Sequence, residues 1–330
     1  MSESQPRARI VGTGMFLPDI VMTNHDIEKL CDTNDEWIRK RTGIKERRFA
    51  EDGIGSAELG TKAAAMALEE AGIAAEDLDA IICATVTPDQ IAPANSHIMQ
   101  ANLGAVNAAG FDINAACSGF VFALSTANAY ISSGMFKNIL IVGTETTSRI
   151  LNWDYRDTAV LFADGAGAVV VTADTEGSGV LTSHIGSDGT GGDILNMPQG
   201  GWKYRLTPKF LEENPMVIGM NGPELFKRAV RMFCEEIRLT LETCNITADD
   251  IDLFVPHQAN ARISDAVRER VGLPEEKVFM NIDHTGNTVA ASIPMALHEA
   301  KAAGLIKEGN LILIAAFGAG LTWASALIRW

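Results

Sequence analysis

The chain is written twice. LEEAGIAAEDLDAII, from Leu68, aligns without a gap on LETCNITADDIDLFV, from Leu241, sharing Leu, Glu, Ile, Ala, acidic-Asp and aliphatic-Asp positions at a displacement of 241 − 68 = 173. A second echo in the same order sets FKNILIVGTETT against KEGNLILIAAFGAG, with Asn138-Ile139-Leu140 facing Asn310-Leu311-Ile312 at a displacement of 172. Repetition at about half the length of the chain predicts two similar supersecondary units that bury their apolar faces against each other. Within each unit short β-prone runs alternate with longer Ala-rich amphipathic stretches, the pattern of a layered α/β protein. The Gly- and Pro-rich segment 176–215 has no counterpart in the first half. Its start, strand-like through Ile185, is expected to open the second half, and its remainder to form a long surface excursion of the kind that borders active sites. The halves are therefore drawn at 1–176 and 177–330.

Charge and cysteine content narrow the function. Lys plus Arg number 27 against 42 Asp plus Glu, a net charge of −15, which argues against nucleic-acid binding. Against that background the basic run RKRTGIKERR, residues 39–48, is conspicuous, although such a run is also what a solvated face looks like. No stretch of 18 apolar residues occurs and the start, MSESQPRARIVG, lacks the apolar segment of a secretion signal, so a soluble, cytoplasmic protein without membrane contact is expected. Cys31, Cys83, Cys117, Cys234 and Cys244 are odd in number and lack metal-type Cys-x-x-Cys spacing, which leaves disulfides and zinc without support.

One cysteine has a suggestive address. Cys117, in DINAACSGF, stands where a β-rich run gives way to a helix-forming one, and unpaired N–H groups at a helix start favour thiolate over thiol. The other reading of Cys117 is a small buried hydrophobe. In the second copy the strand-like IDLFV ends in Pro256-His257-Gln258-Ala259-Asn260, and the equivalent of His257 in the first copy is Ala84, so the histidine is not required by the fold. Asn287, in DHTGNTVAASIPMAL, is expected to follow a strand and to precede an Ala-rich helix, the place of the Cys117 loop in the other half; an ordinary helix N-cap is the alternative. Duplicated halves would bring both loops to one face, so that Cys117, His257 and Asn287 converge. FGAG, Phe317 to Gly320, could offer a backbone N–H to a substrate oxygen or be a plain turn. ADGAGA, 163–168, lacks the lysine of a phosphate loop and Gly12-Thr13-Gly14 the third glycine of a dinucleotide fingerprint, so neither is given a nucleotide role.

AACSGF, VPHQAN, GNTVAAS and FGAGLTWASALIRW, with DEWIRKRTGI near the start and FADGAGAVV in the middle, closely resemble β-ketoacyl-acyl-carrier-protein synthase III, over essentially the full chain and in the right order. The resemblance implies a thiolase-like α/β fold, two related halves in a five-layered αβαβα sandwich. It implies Cys117 as the nucleophile that takes the acyl group of an acyl-CoA primer, with backbone N–H groups of Cys117 and Ala319 holding the oxyanion. His257 and Asn287 would donate hydrogen bonds to the enolate oxygen formed as malonyl-acyl-carrier protein decarboxylates; Asn cannot take a proton at neutral pH, so donation is what it can supply. CoA contacts carry over to Trp37, Arg41, Arg156 and Asn260, and Phe226 to a position lining the substrate channel. An acidic carrier protein needs a local positive patch on so negative a chain, for which Lys227, Arg228 and Arg262 are candidates. No cofactor or metal is implied beyond the two thioester substrates, and a homodimer is expected.

The family often has a third glycine where this chain has Ala319, a change expected to keep the N–H while tightening the backbone, and His284-Thr285 before Gly286 also depart from the usual pattern. A papain-like protease shares the order Cys, His, Asn but would place Trp beside the nucleophile, where Ser118 stands; a degradative thiolase needs a second catalytic cysteine near its C-terminus, and the last here is Cys244. Two alternatives stay open: a relative that primes a specialised route such as polyketide or quinolone synthesis or acyl transfer, and a non-catalytic scaffold of the same fold.

Overall fold

The computed structural model describes residues 5–197, 203, 205, 207–213 and 215–330. The first five principal strands, β1 (Arg7–Phe16), β2 (Ala80–Ala84), β3 (Ala109–Ile113), β4 (Asn138–Thr146) and β5 (Asp164–Asp174), form one sheet in the order β1-β5-β4-β2-β3. Between them run helices α1 (Asp35–Thr42), α2 (Ser56–Ala71), α3 (Asn95–Leu103) and α4 (Gly119–Ser132). The second sheet, β6 (Gly179–Ser187), β7 (Leu253–Pro256), β8 (Leu311–Gly318) and β9 (Thr322–Arg329), has the order β7-β8-β9-β6, with α5 (Gly222–Cys244), α6 (Ala261–Val271) and α7 (Ser292–Ala302).

Read from β6, the second sheet repeats the order of the first four neighbouring strands of the first sheet. β2 pairs in parallel with β4 through Ala80 and Ile139; β7 pairs in parallel with β8 through Leu253 and Ile312, both partners displaced by 173 (253 − 80 and 312 − 139). The counterpart of β3 shrinks to one isolated bridge, Phe254 to Val278. Asn287 therefore follows a short helix, Ile282–Thr285, and not the expected strand. Here the Asn281 carbonyl accepts from Thr285 N–H and its side-chain amide donates to Glu299 of α7, so the chain coils where the first half extends.

The layers follow from burial. Ile139 to Val142 of β4 and Ile312 to Ile314 of β8 are fully buried on both faces, which suits a continuous aliphatic run between helix layers. α2 and α3 cover the outer face of the first sheet, α5 and α6 that of the second, and α4 and α7 lie between the sheets. A helix in that middle layer is covered from both sheets, and α4 buries Phe120, Val121, Leu124 and Ile131 while α7 buries Ile293, Met295 and Leu297. The result is the five-layered αβαβα sandwich of the thiolase fold.

Close packing in the middle layer depends on Gly143 of β4. A Cβ there would lie 2.4 Å from the carbonyl oxygen of Ala290, which is backbone and cannot yield. Gly143→Ala is expected to destabilise the protein by about 1–3 kcal/mol, read from urea unfolding; an unchanged midpoint would contradict this packing.

The strand-like start of the Gly- and Pro-rich segment forms β6, at one edge of the second sheet. The rest of the excursion is not purely superficial: Leu195 is buried, and Leu195-Asn196 pairs with Gly219-Met220. Residues 198–202, 204, 206 and 214 lie outside the described set.

Candidate active site

Cys117 sits in a single 3₁₀ turn, Ala116–Ser118, between β3 and α4. Ala116 takes φ +47°, and Val289, 173 residues later in the turn Val289–Ala291 before α7, takes φ +50°. For a β-branched residue that conformation is costly, of order 1–3 kcal/mol, and persists only where the surroundings over-determine it. The two turns touch each other, which puts the Cys117 and Asn287 loops side by side. Gly318, at the end of β8, lets the Phe317–Gly320 loop reach in: a Cβ on it would lie 2.7 Å from the Cys117 backbone N. Thr322 Oγ1 donates to the Ala115 carbonyl at 3.0 Å and pins the loops together.

Backbone N–H groups of Cys117 and Ala319 both point at the sulfur. Ala319 is accommodated without strain, because the left-handed backbone in this loop falls on Gly320 at φ +136°. Burial pushes the Cys117 thiol up to about 12, with the buried Glu145 carboxylate adding to the effect and the two N–H groups opposing it. Cys117 thus rests as a thiol, not the thiolate its position at a helix start suggests; desolvation outweighs the N–H groups.

His257 ends the turn out of β7 and is 1% exposed. Its Nδ1 lies 2.6 Å from Ser292 Oγ, and its Nε2 is buried without a partner. Burial alone pulls the imidazole down to about 3, so the ring is neutral. Asn287 is held by its backbone, whose N–H donates to Leu161 O and whose carbonyl accepts from Ala163 N–H. Its Oδ1 accepts from Val289 N–H at 2.9 Å, which turns the Nδ2 donor the other way. Cys117, His257 and Asn287 line one cavity of about 120 Å³, together with Phe226, Asn260, Phe317 and Gly318. On the far side of Cys117 a second cavity, of about 680 Å³, is walled by Val86, Ile150, Phe162, Ile218, Val289 and Ala319. Its rim is held by Glu145, fully buried and pushed up to about 8 by that burial, which accepts from Val86 N–H and Thr87 Oγ1.

Trp37 of α1 is flanked by both expected arginines, the Arg156 guanidinium 4.6 Å and the Arg41 guanidinium 5.8 Å from its ring centre. Asn260 caps α6 through Arg262 N–H at 3.0 Å while also lining the cavity. Gly43 at the end of α1 packs so closely on Ala261 that a Cβ would lie 2.7 Å from it, which joins the Trp37 surface to the cavity mouth. Arg262 stacks over Phe226 at 5.8 Å, and Lys227 is exposed. Arg228 is already paired with Glu224 at 2.8 Å and Asp188 at 3.6 Å, so its charge is largely spent within the fold.

The basic run is not one face. Arg39 pairs with Asp35 and Lys45 with Asp283, while Arg47 is fully buried, donating to Asn24 Oδ1 and the Met22 and Val160 carbonyls. His284 bridges Glu299 and Asp283, both at 3.0 Å; Glu299 first and Asp283 second push it up to about 9, so a cation ties the segment before Asn287 to α7.

Ser292, Glu145 and Thr322 are site residues that sequence reasoning passed over. Ser292 lay within a quoted motif, GNTVAAS, but only its partner 35 positions away gives it a role.

Known proteins share the sequence and the fold of this chain. Residues 111–189 match the family described as 3-oxoacyl-[acyl-carrier-protein (ACP)] synthase III, and residues 241–330 match its C-terminal region. A relative from Caldanaerobacter subterraneus, named beta-ketoacyl-[acyl-carrier-protein] synthase III, is 51% identical over 98% of each chain. One of the same name from Clostridioides difficile is 47% identical, again over 98% of both. The crystal structure of 3-oxoacyl-[acyl-carrier-protein] synthase III from Aquifex aeolicus superposes with a TM-score of 0.91 at 46% identity, over 98% of this chain and all of that one.

Proposed function

Because this chain belongs to the 3-oxoacyl-acyl-carrier-protein synthase III family, a group of acyltransferases that start fatty acid biosynthesis, we propose that its cavity runs a two-step condensation with the residues named above. The observation that carries the reading is the convergence of Cys117, His257 and Asn287 on one cavity, with two backbone N–H groups aimed at the sulfur.

In the first step Cys117 Sγ attacks the thioester carbon of an acyl-CoA. The C–S bond to CoA breaks, CoA leaves as its thiol with the cysteine proton, and the acyl group stays on Sγ. The oxyanion formed on the way lies against the N–H groups of Cys117 and Ala319, which are fixed before charge appears and so need no reorganisation. The acyl chain extends into the second, apolar cavity. In the next step malonyl-acyl-carrier protein loses CO₂, and the electron pair of the broken C–C bond becomes an enolate. The His257 ring N–H and the Asn287 amide meet that oxygen as neutral donors. The enolate carbon then attacks the acyl-cysteine, the C–S bond breaks to release the β-ketoacyl-carrier protein, and the Cys117 thiolate that leaves takes up one proton from solvent to restore the thiol. No cofactor enters this scheme.

At the mouth, adenine would slide between the Trp37 indole and the Arg156 guanidinium, with Arg41 and Asn260 on the remainder of CoA. Arg156→Ala is expected to raise KM for acyl-CoA roughly tenfold with little change in kcat; an unchanged KM in initial-rate assays would remove Arg156 from the CoA site. Lys227 and Arg262 are the better docking cations for an acidic carrier, with Arg228 contributing less. The unpaired edge of β3 supports a homodimer joined there. The halves 1–176 and 177–330 are the units of the ancestral duplication, and among the described residues no helix is long and apolar enough to cross a membrane; a cytoplasmic setting suits the substrates. Mixing the protein with acyl-CoA and malonyl-acyl-carrier protein should yield β-ketoacyl-carrier protein, CO₂ and free CoA in equal amounts. Failure with every acyl-CoA from acetyl to octanoyl would reject the reading and favour a scaffold.

A further inference from the structure

A neutral imidazole meets developing negative charge only if its proton is on the nitrogen that faces it. For His257 that nitrogen is Nε2, which is buried and without a protein partner beside the cavity. The opposite nitrogen, Nδ1, lies 2.6 Å from Ser292 Oγ, and Ser292 is only 2% exposed at the start of α7. A serine oxygen has one proton to give and two lone pairs. One lone pair of Ser292 takes the Gln258 backbone N–H, at 3.4 Å. Gln258 is itself fixed, its Nε2 donating to the Pro256 and Phe279 carbonyls and its Oε1 accepting from Asn281 N–H, so the turn cannot swing that N–H away. Among the described residues the Ser292 hydroxyl has no acceptor other than Nδ1.

We propose that Ser292 is a positioning residue that donates its hydroxyl proton to Nδ1 of His257 and thereby holds the imidazole in the tautomer whose Nε2–H faces the cavity. The reverse arrangement, Nδ1–H donating to Ser292, would strand the hydroxyl proton in a buried site without an acceptor, which is unfavourable. It would also leave a bare lone pair aimed at the enolate. The role deepens the donor assignment of His257 and rests on it. Ser292 touches no substrate and acts through the ring alone, so its removal should divide the two half-reactions. Cys117 acylation does not use the His257 N–H, whereas malonyl decarboxylation does.

The test uses the full-length enzyme, its Ser292→Ala and Ser292→Thr variants, and histidine labelled with ¹⁵N. In the wild type, ring resonances should report a protonated Nε2 and a hydrogen-bonded, unprotonated Nδ1. Ser292→Ala should keep acylation by butyryl-CoA, read by intact mass, and lose roughly 10- to 100-fold in CO₂ release from malonyl-acyl-carrier protein, the usual effect of removing a group that orients a functional histidine. Ser292→Thr, which keeps the hydroxyl, should restore most of that loss. A wild-type ring protonated at Nδ1 would overturn the proposal, and so would equal losses in acylation and decarboxylation in Ser292→Ala. Should Ser292→Ala not fold, the wild-type spectrum alone decides. Unchanged decarboxylation in His257→Ala would instead refute the donor role of His257, a separate failure that the tautomer spectrum does not share.

Discussion

His257→Ala and Asn287→Ala should each lose about 100- to 1000-fold in malonyl decarboxylation while still accepting an acyl group on Cys117, since one directed donor to a developing oxyanion is worth that much in a water-poor site. The split follows from geometry. His257 and Asn287 line the cavity with side-chain donors, Nε2 and Nδ2, whereas the groups aimed at the sulfur are the backbone N–H groups of Cys117 and Ala319. Two donors serving one oxygen act together, so the double variant should fall by less than the product of the single losses. CO₂ release measured beside acyl-enzyme mass tests this, and loss of both half-reactions together would mean that the pair also holds the primer site.

Cys117→Ala should show the converse. Condensation falls at least about 1000-fold, as removal of a covalent nucleophile requires, yet decarboxylation of malonyl-acyl-carrier protein continues because its two donors are untouched. The wild-type thiol also has a pH signature. With burial holding it at about 12, the thiolate fraction rises through the whole neutral range, so alkylation of Cys117 by iodoacetamide should keep accelerating from pH 6 to 9. A plateau near pH 7 would mean that the helix start lowers the thiol more than burial raises it.

What the sequence disclosed, it disclosed through repetition. The displacement of 173 carries down to single dihedral angles: the αL cap Gly72 of α2 at φ +64° answers Asn245 of α5 at φ +52°, and Ala116 answers Val289. Helix and strand patterns survive duplication because each half must still cover its own sheet. The loss of the strand expected before Asn287 was not foreseeable, because only pairing with a neighbour decides it, and there a single bridge from Phe254 to Val278 stands where the first half has a ladder. Nor could the basic run reveal its division, since the fate of Arg47 depends on carbonyls of residues 22 and 160, far along the chain. Ser292 and Glu145 were invisible for the same reason. Their types are ordinary, and only partners 35 and about 60 positions away give them work. Leu195 shows the limit from the other side: a Gly-rich stretch reads as surface, yet it supplies a wall to both cavities.

The most direct test of the whole reading is the mass of the protein after exposure to acyl-CoA alone. The wild type should gain one acyl group, mapped by peptide digestion to the segment carrying Cys117, and Cys117→Ala should gain none. No adduct with any acyl-CoA, or an adduct that survives in Cys117→Ala, would contradict it.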